Sequence, residues 1–454
     1  MLRSDRTFAE RTFAAALPES IVADDICSFA VTDLAHRSCL ERPLGWDPHG
    51  RSILLMTERP LPTVIALLEL DSVARRLLLG TRDILPHLPS VIRDAEVDSI
   101  VSDVPLDSFG LPLIRYDNET RIQDRDLARP PVATEWVLFT SGTTGRPKMV
   151  VHSVASLTAP IDDGVPVEGG MVWSTFYDIR RYGGLQILLR ALMSGGSMLL
   201  AGASETIDDF LARLSKHRVQ RLSGTPSHWR KALMSGAARS IAPAYVRLSG
   251  EVADQAILDR LRATYSDASI AHAFASTEAG VAFDVCDGLA GFPASFLPHP
   301  NHPGVELGVQ DGTLRIRSGR CAAGYIGLPL RGEDGFIDTG DRVERQGDRY
   351  RFVGRREGVI NVGGRKVYPE EVEAVLGSHP DVQIARVWPQ KSPITGAIVA
   401  ADVVLHPSSS TVFEAIRADL QEACRRSLDA YKVPVVIRQV PSLPMTASGK
   451  LLRA

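Results

Sequence analysis

The stretch of this sequence best equipped for chemistry is Thr140-Ser-Gly-Thr-Thr-Gly-Arg-Pro-Lys148, directly after the apolar run Trp136-Val-Leu-Phe139. Glycines admit positive φ and close approach, so successive backbone N–H groups can point into one concavity. The threonine and serine hydroxyls and the closing lysine add donors suited to a polyphosphate. A plain polar turn between strands would need neither that density of donors nor the lysine. The spacing is not Gly-x-x-x-x-Gly-Lys-Ser/Thr, so a phosphoryl-transferring P-loop ATPase is excluded.

Ser141-Gly-Thr-Thr-Gly-Arg-Pro-Lys148 resembles the signature of the adenylate-forming superfamily, which holds acyl-CoA synthetases, adenylation domains of peptide synthetases and firefly luciferase. Four further segments resemble that family's motifs in the same order: Phe274-Ala-Ser-Thr-Glu278, Phe336-Ile-Asp-Thr-Gly-Asp341, Gly354-Arg-Arg-Glu-Gly-Val-Ile360 and Leu443-Pro-Met-Thr-Ala-Ser-Gly-Lys450. Five collinear matches make chance agreement negligible. The resemblance implies ATP-dependent activation of a carboxylic acid as an acyl-AMP, with release of pyrophosphate, then transfer to a thiol. CoA is the expected acceptor. The alternatives are the phosphopantetheine of an acyl carrier protein and, in a different class, a non-catalytic nucleotide-binding relative. Intact charges at Lys148, Glu278, Asp341 and Lys450 speak against the last.

By the same resemblance Thr140, Ser141, Gly142, Thr143, Thr144, Gly145 and Lys148 hold the β- and γ-phosphates. Thr277 contacts the α-phosphate, with Ala275 and Ser276 beside it in the motif, and Glu278 binds Mg²⁺. Ser249, Gly250 and Glu251 resemble the loop lining the adenine, with one glycine where the family often has two. Phe274 stands where the family sets an aromatic against adenine, and core packing is an equal reading. Asp341 and Arg355 would contact the ribose. Lys450 would bridge the carboxylate and the α-phosphate. Gly363 and Gly364 resemble the loop lining the thiol tunnel, and Glu357 marks the hinge between the domains.

For the acid itself the relevant segment is Thr175-Phe-Tyr-Asp-Ile-Arg-Arg-Tyr-Gly-Gly-Leu185. Tyr177-Asp178 aligns with the Phe-Asp of amino-acid activators, whose Asp holds an ammonium; Tyr182-Gly183 aligns instead with the aromatic-Gly of aryl and acyl-CoA ligases. Arg180 and Arg181 read as exposed helix-start arginines, with a second carboxylate or a phosphate as the other reading. His228 and Trp229, opening the next helix, either line the acyl site or pack.

The elements that must position these groups alternate helix and strand from about Thr63 to Ser276. Ile207, Phe210, Leu211 and Leu214 share one helical face after Ser204-Glu205-Thr206. Ser99-Ile-Val-Ser, Trp136–Phe139, Ser197-Met-Leu-Leu and Ile270-Ala-His-Ala-Phe are strand-length apolar runs. That alternation predicts an α/β fold, a large domain (1–356) of mainly parallel sheets layered with helices. Asp287 to Gly308 reads as irregular loop. After about Arg355 a small mobile α+β domain (357–454) is expected, with strands at Val382–Trp388 and Ile398–Val404 and a helix carrying Val412, Ile416, Leu420 and Ala423 on one face. No counterpart to the family's first motif precedes the phosphate loop, so the early large domain is expected to be trimmed.

The 454 residues, 44% hydrophobic and 23% charged with a net charge of −3, describe a globular chain without an electrostatic case for nucleic acid or an anionic membrane. No apolar run reaches the roughly 18 residues of a spanning helix. Five scattered cysteines make neither a disulfide framework nor a zinc cluster, and no secretory signal opens the chain, so a reducing, cytoplasmic setting is expected.

Overall fold

The computed structural model describes residues 7–122, 130–140, 146–162, 170–330, 332, 334–393, 395–406, 409 and 411–444. Two eight-stranded sheets and one five-stranded sheet form the large domain. In the first, the strands 76–79, 52–55, 99–102 and 135–140 run parallel through the centre, and Lys148–Ser153 closes one side antiparallel to Glu135–Thr140. In the second, 172–175, 197–200, 221–224, 245–249 and 269–276 are parallel, and Gly280–Val285 turns back as an antiparallel edge. The expected strands at Ser99, Trp136, Ser197 and Ile270 all form. Ser52–Leu55 and Ser197–Leu200 are buried at every position, because helices cover both faces of a parallel sheet.

Local signals explain the helices that flank the site. In Ile207–Lys216 the Thr206 hydroxyl accepts the Asp209 N–H, acids occupy the first turn and basic residues the last, and Phe210, Leu211 and Leu214 are buried. Pro226–Met234 begins with Pro in its first turn behind a Thr225 cap. Tyr182–Met193 has no side-chain cap and is buried along most of its length, so packing between the sheets holds it.

Three expectations need correction. The ordered core begins well before Thr63: Ile21–Ala23 adds to the second sheet beside Ser197–Leu200, and Ser52–Leu55 lies in the middle of the first. The segment 287–308 is not all loop, since Phe292–Pro293 and Val305–Gln310 join the antiparallel five-stranded sheet. In the small-domain helix Phe413–Ser427 the buried face is Ile416, Leu420 and Cys424; Val412 is its exposed cap residue, because the helix begins one residue later. The small domain otherwise matches, with strands 382–392, 396–405 and 436–439 over helices 369–377 and 413–427.

Candidate active site

The hairpin of Glu135–Thr140 and Lys148–Ser153 sets Thr140 opposite Lys148, at the two roots of the phosphate loop. Ser141, Gly142, Thr143, Thr144 and Gly145 lie outside the described residues. Glu278 comes from a different sheet and meets this corner: the Thr140 hydroxyl is 3.5 Å from its Oε1. Tyr325 OH lies 3.5 Å from the same oxygen, and its ring lies 5.4 Å from Lys148 Nζ. Sequence reasoning missed Tyr325, which reaches the corner only because Gly324-Tyr325 pairs with Val150–Val151 on the edge of the first sheet.

Glu278 makes no ion pair with a described residue, and no three His, Cys, Asp or Glu side chains cluster as a metal site among them. A carboxylate beside the Thr140 and Tyr325 hydroxyls is a donor type that fits a divalent cation sharing phosphate oxygens and water. Thr277 and Glu278 occupy the turn between Ser269–Ser276 and Gly280–Val285. The turn is fixed twice: Ser276 Oγ accepts the Ala279 N–H at 3.0 Å, and His152 Nε2 donates to the Thr277 carbonyl at 2.7 Å. His152 is 1% exposed, and burial pushes its pKa down to about 4, so the ring is neutral. It was also missed, although it follows Lys148 by four residues on the same strand. Ala275 sits at a register shift beside this turn.

Ser249, Gly250 and Glu251 follow Tyr245–Ser249 as expected, and Gly250 has φ +83°, a value that favours glycine. The Tyr177 hydroxyl accepts the Ser249 N–H at 3.0 Å and donates to its carbonyl at 2.9 Å. Burial raises the Tyr177 pKa to about 12, which keeps the donor in place. Glu251 Oε2 accepts the Ser227 N–H at 2.9 Å. Phe274 stacks on Phe283 and Phe352, at 5.8 and 5.3 Å between centroids, and it is partly buried against them.

Asp341 and Arg355 pair across a hairpin with Nε to Oδ1 at 3.4 Å. Glu357 falls in the short helical turn Arg356–Gly358. Gly363 and Gly364 make the two-residue turn between Ile360–Val362 and Arg365–Val367, with φ of +57° and +85°. Lys450 lies outside the described residues.

On the acyl side the second sheet has its switch point. The chain passes from Val172–Thr175 to Ser197–Leu200 on one side, then to Arg221–Gly224 on the other. A crevice at the carboxyl end of such a strand is where open α/β sheets take ligands. A cavity of about 240 Å³ lies there, lined by Glu58, Pro60, Thr175 to Arg180 and Leu200 to Ala203. A larger groove near His299 and Arg317 touches none of the expected site residues.

The structure redistributes the acyl residues. Arg180 clasps Asp178 at both carboxylate oxygens, 2.8 and 2.7 Å, so the Asp178 charge is already paired within the protein. Arg180 and Arg181 are not exposed; their side chains are 13% and 16% accessible, because each bonds across the gap between the two large sheets. Tyr182 and Trp229 are core residues, and Trp229 Nε1 points to the Arg247 carbonyl at 3.4 Å. Gly183 packs against the Tyr177 ring. His228 stacks on Phe176 and meets Tyr177 edge-on, both at 5.9 Å. Its Nδ1 accepts the Thr225 N–H, which assigns the proton to Nε2 in the neutral ring, and burial lowers its pKa to about 4.

The family model for AMP-binding enzymes matches residues 71–315, and that for the AMP-binding enzyme C-terminal domain matches 371–450. The chain is 23% identical over 403 residues to a 2-succinylbenzoate–CoA ligase of Staphylococcus epidermidis, covering 83% of this chain and 81% of the relative. It is 26% identical over 404 residues to a fatty acid–[acyl-carrier-protein] ligase of Mycobacterium marinum, covering 78% and 75%. In fold it is similar to an anthranilate CoA ligase solved with anthranoyl-AMP, with a TM-score of 0.79 at 18% identity over 98% of this chain and 94% of that one.

Proposed function

The chain belongs to the AMP-binding enzyme family, and on that premise we propose that it is an AMP-forming acid–thiol ligase acting on a small carboxylic acid without an α-ammonium. The observation that carries the reading is the meeting of Thr140, Lys148 and Glu278, drawn from two sheets, at the root of the phosphate loop. In the first step a carboxylate oxygen attacks the α-phosphorus of ATP and the bond to the β-phosphate bridge breaks, releasing pyrophosphate. In the second a thiolate attacks the acyl carbon and AMP leaves.

Negative charge grows on phosphate oxygens in the first step, so positioned donors there supply most of the catalysis. Lys148 and the loop take the β- and γ-phosphates, Thr277 the α-phosphate, and Asp341 with Arg355 the ribose. Glu278 would hold Mg²⁺, which neutralises phosphate charge when bound. Tyr325 steadies both Glu278 and Lys148, and His152 fixes the Thr277 turn. Lys450 bridges the attacking carboxylate and the α-phosphate. Rotation at Glu357 then exchanges it for the Gly363–Gly364 loop, which admits the thiol.

The acid occupies the switch-point cavity. The closed Asp178–Arg180 pair supports acyl or aryl acids over amino acids. Likeness to the CoA ligase and to the carrier-protein ligase names the two acceptors, and CoA is the first to try. The test is pyrophosphate exchange into ATP across a panel of fatty, aryl, dicarboxylic and amino acids, followed by thioester formation with CoA or carrier protein. Exchange driven only by amino acids would overturn the substrate reading, and no exchange with any acid would overturn the activity.

A further inference from the structure

Arg181 is the N-cap residue of Tyr182–Met193, and its backbone belongs to the second sheet's layer. Its guanidinium instead works in the first. Nη1 donates to the Phe139 carbonyl at 2.6 Å; Nη2 donates to Thr81 Oγ1 at 2.8 Å and pairs with Asp83. Thr81 in turn bonds Asp83. Thr81 follows the strand Arg76–Leu79, which runs parallel beside Glu135–Thr140 with Leu79 opposite Leu138. One side chain therefore ties the ends of two neighbouring strands to the start of a helix from the other sheet.

Phe139 is the last residue before Thr140, whose hydroxyl reaches Glu278, and Thr140 faces Lys148. Thr140 and Lys148 are donors held on paired strands, so their placement follows from what fixes those strands. A guanidinium bonded to the root carbonyl is a charge-assisted contact in a rigid planar fork, stronger and more directional than a neutral one. Asp83 neutralises it, and Nη1 and Nη2 are already engaged, so it is not laid out as a phosphate ligand.

We infer that Arg181 is a positioning residue for ATP: through Phe139 it sets the root of the phosphate loop, and so the ATP affinity and the adenylation rate, without touching substrate. This rests on the proposed nucleotide role of the Thr140–Lys148 loop. The same turn, Tyr177 to Arg180, lines the acid cavity, so the clamp stands between the two substrates' sites.

The test compares wild type with Arg181→Met, Arg181→Lys and Asp83→Asn in pyrophosphate exchange with varied ATP and varied acid. MgATP affinity is measured separately by calorimetry, and acyl transfer from supplied acyl-AMP and the melting temperature are recorded. Displacing a positioned group by about an ångström costs up to roughly a hundredfold. Arg181→Met should raise the KM for ATP and the MgATP Kd about tenfold or more and slow exchange. The KM for the acid and the transfer half-reaction should stay within about threefold. Arg181→Lys should recover part of the loss and Asp83→Asn should show part of it. If Arg181→Met does not fold, those two variants decide. An unchanged MgATP Kd, or losses spread equally over ATP, acid and transfer in step with a lower melting temperature, would overturn the inference. If wild type supports no exchange with any acid, the proposed ligase activity fails, while the MgATP Kd series still decides the role of Arg181.

Discussion

The phosphate corner and the acyl corner sit on the same pair of sheets and are built in opposite ways. At the corner of Thr140 and Lys148, the Glu278 carboxylate makes, among the described residues, 3.5 Å contacts to two hydroxyls, and Lys148 rests over an aromatic ring. Neither charge is neutralised by a described ion pair. At the acyl corner Asp178 is clasped by Arg180, Tyr177 is spent on Ser249, and Tyr182 and Trp229 are core. Charge is consumed internally, leaving a cavity whose polar groups are already paired. If nucleotide and acid bind as proposed, the difference teaches that the fold keeps open charge for the nucleotide and recognises the acid chiefly by shape.

The sharpest attempt to break this contrast is to remove Lys450. Lys450→Ala should slow pyrophosphate exchange roughly 10²–10³-fold, the cost of one transition-state donor. Transfer from supplied acyl-AMP should be affected far less, and equal losses in both half-reactions would refute the division of labour. Glu278→Gln should come next, lowering exchange about a hundredfold and raising the Mg²⁺ concentration for half-maximal rate. A magnesium titration of the variant checks this, and an unchanged requirement would remove Glu278 from the metal.

Two neutral histidines, His152 buried and His228 half-buried, give a pH signature. His152 and His228 have folded pKa values near 4, against 6.5 unfolded. The unfolded chain therefore binds more protons between those values. Their contribution to stability is complete above about 6.5 and falls as pH drops toward 4, on the order of 2 kcal/mol per ring. Denaturant melts from pH 7 to pH 4 on wild type and His152→Gln check it, and a wild type as stable at pH 4.5 as at pH 7 would contradict it.

The smallest effect is expected at Asp178. Asp178→Asn should lower the melting temperature, because Arg180 is left in a buried setting with half its partner. Exchange with the preferred acid should change less than about threefold. A large loss confined to an amino acid would reverse the acyl-side account.

What was legible in the sequence follows the same divide. Thr140, Lys148, Thr277 and Glu278 belong to short contiguous stretches, in which spacing alone restricts what the backbone can do. Ile207, Phe210, Leu211 and Leu214 betrayed their helix because an amphipathic face is a local property. Arg181 looked exposed because its partners, Thr81, Asp83 and Phe139, lie at least 42 positions away. Tyr325 was silent because it acts from a two-residue strand whose place is decided by pairing. The five-stranded sheet was hidden for a similar reason, since its strands carry exposed arginines and acids that mask the alternation.

The account stands on the acid's oxygen attacking the α-phosphorus, and isotope transfer reads that bond directly. The acid that best supports exchange would be labelled with ¹⁸O in its carboxylate and turned over with ATP, Mg²⁺ and the thiol acceptor, and the nucleotide product analysed by mass spectrometry. The account predicts AMP carrying one ¹⁸O atom alongside unlabelled pyrophosphate, because the bridging oxygen stays on phosphorus when the thiol takes the acyl group. ADP as the nucleotide product, with the label in inorganic phosphate, would contradict it.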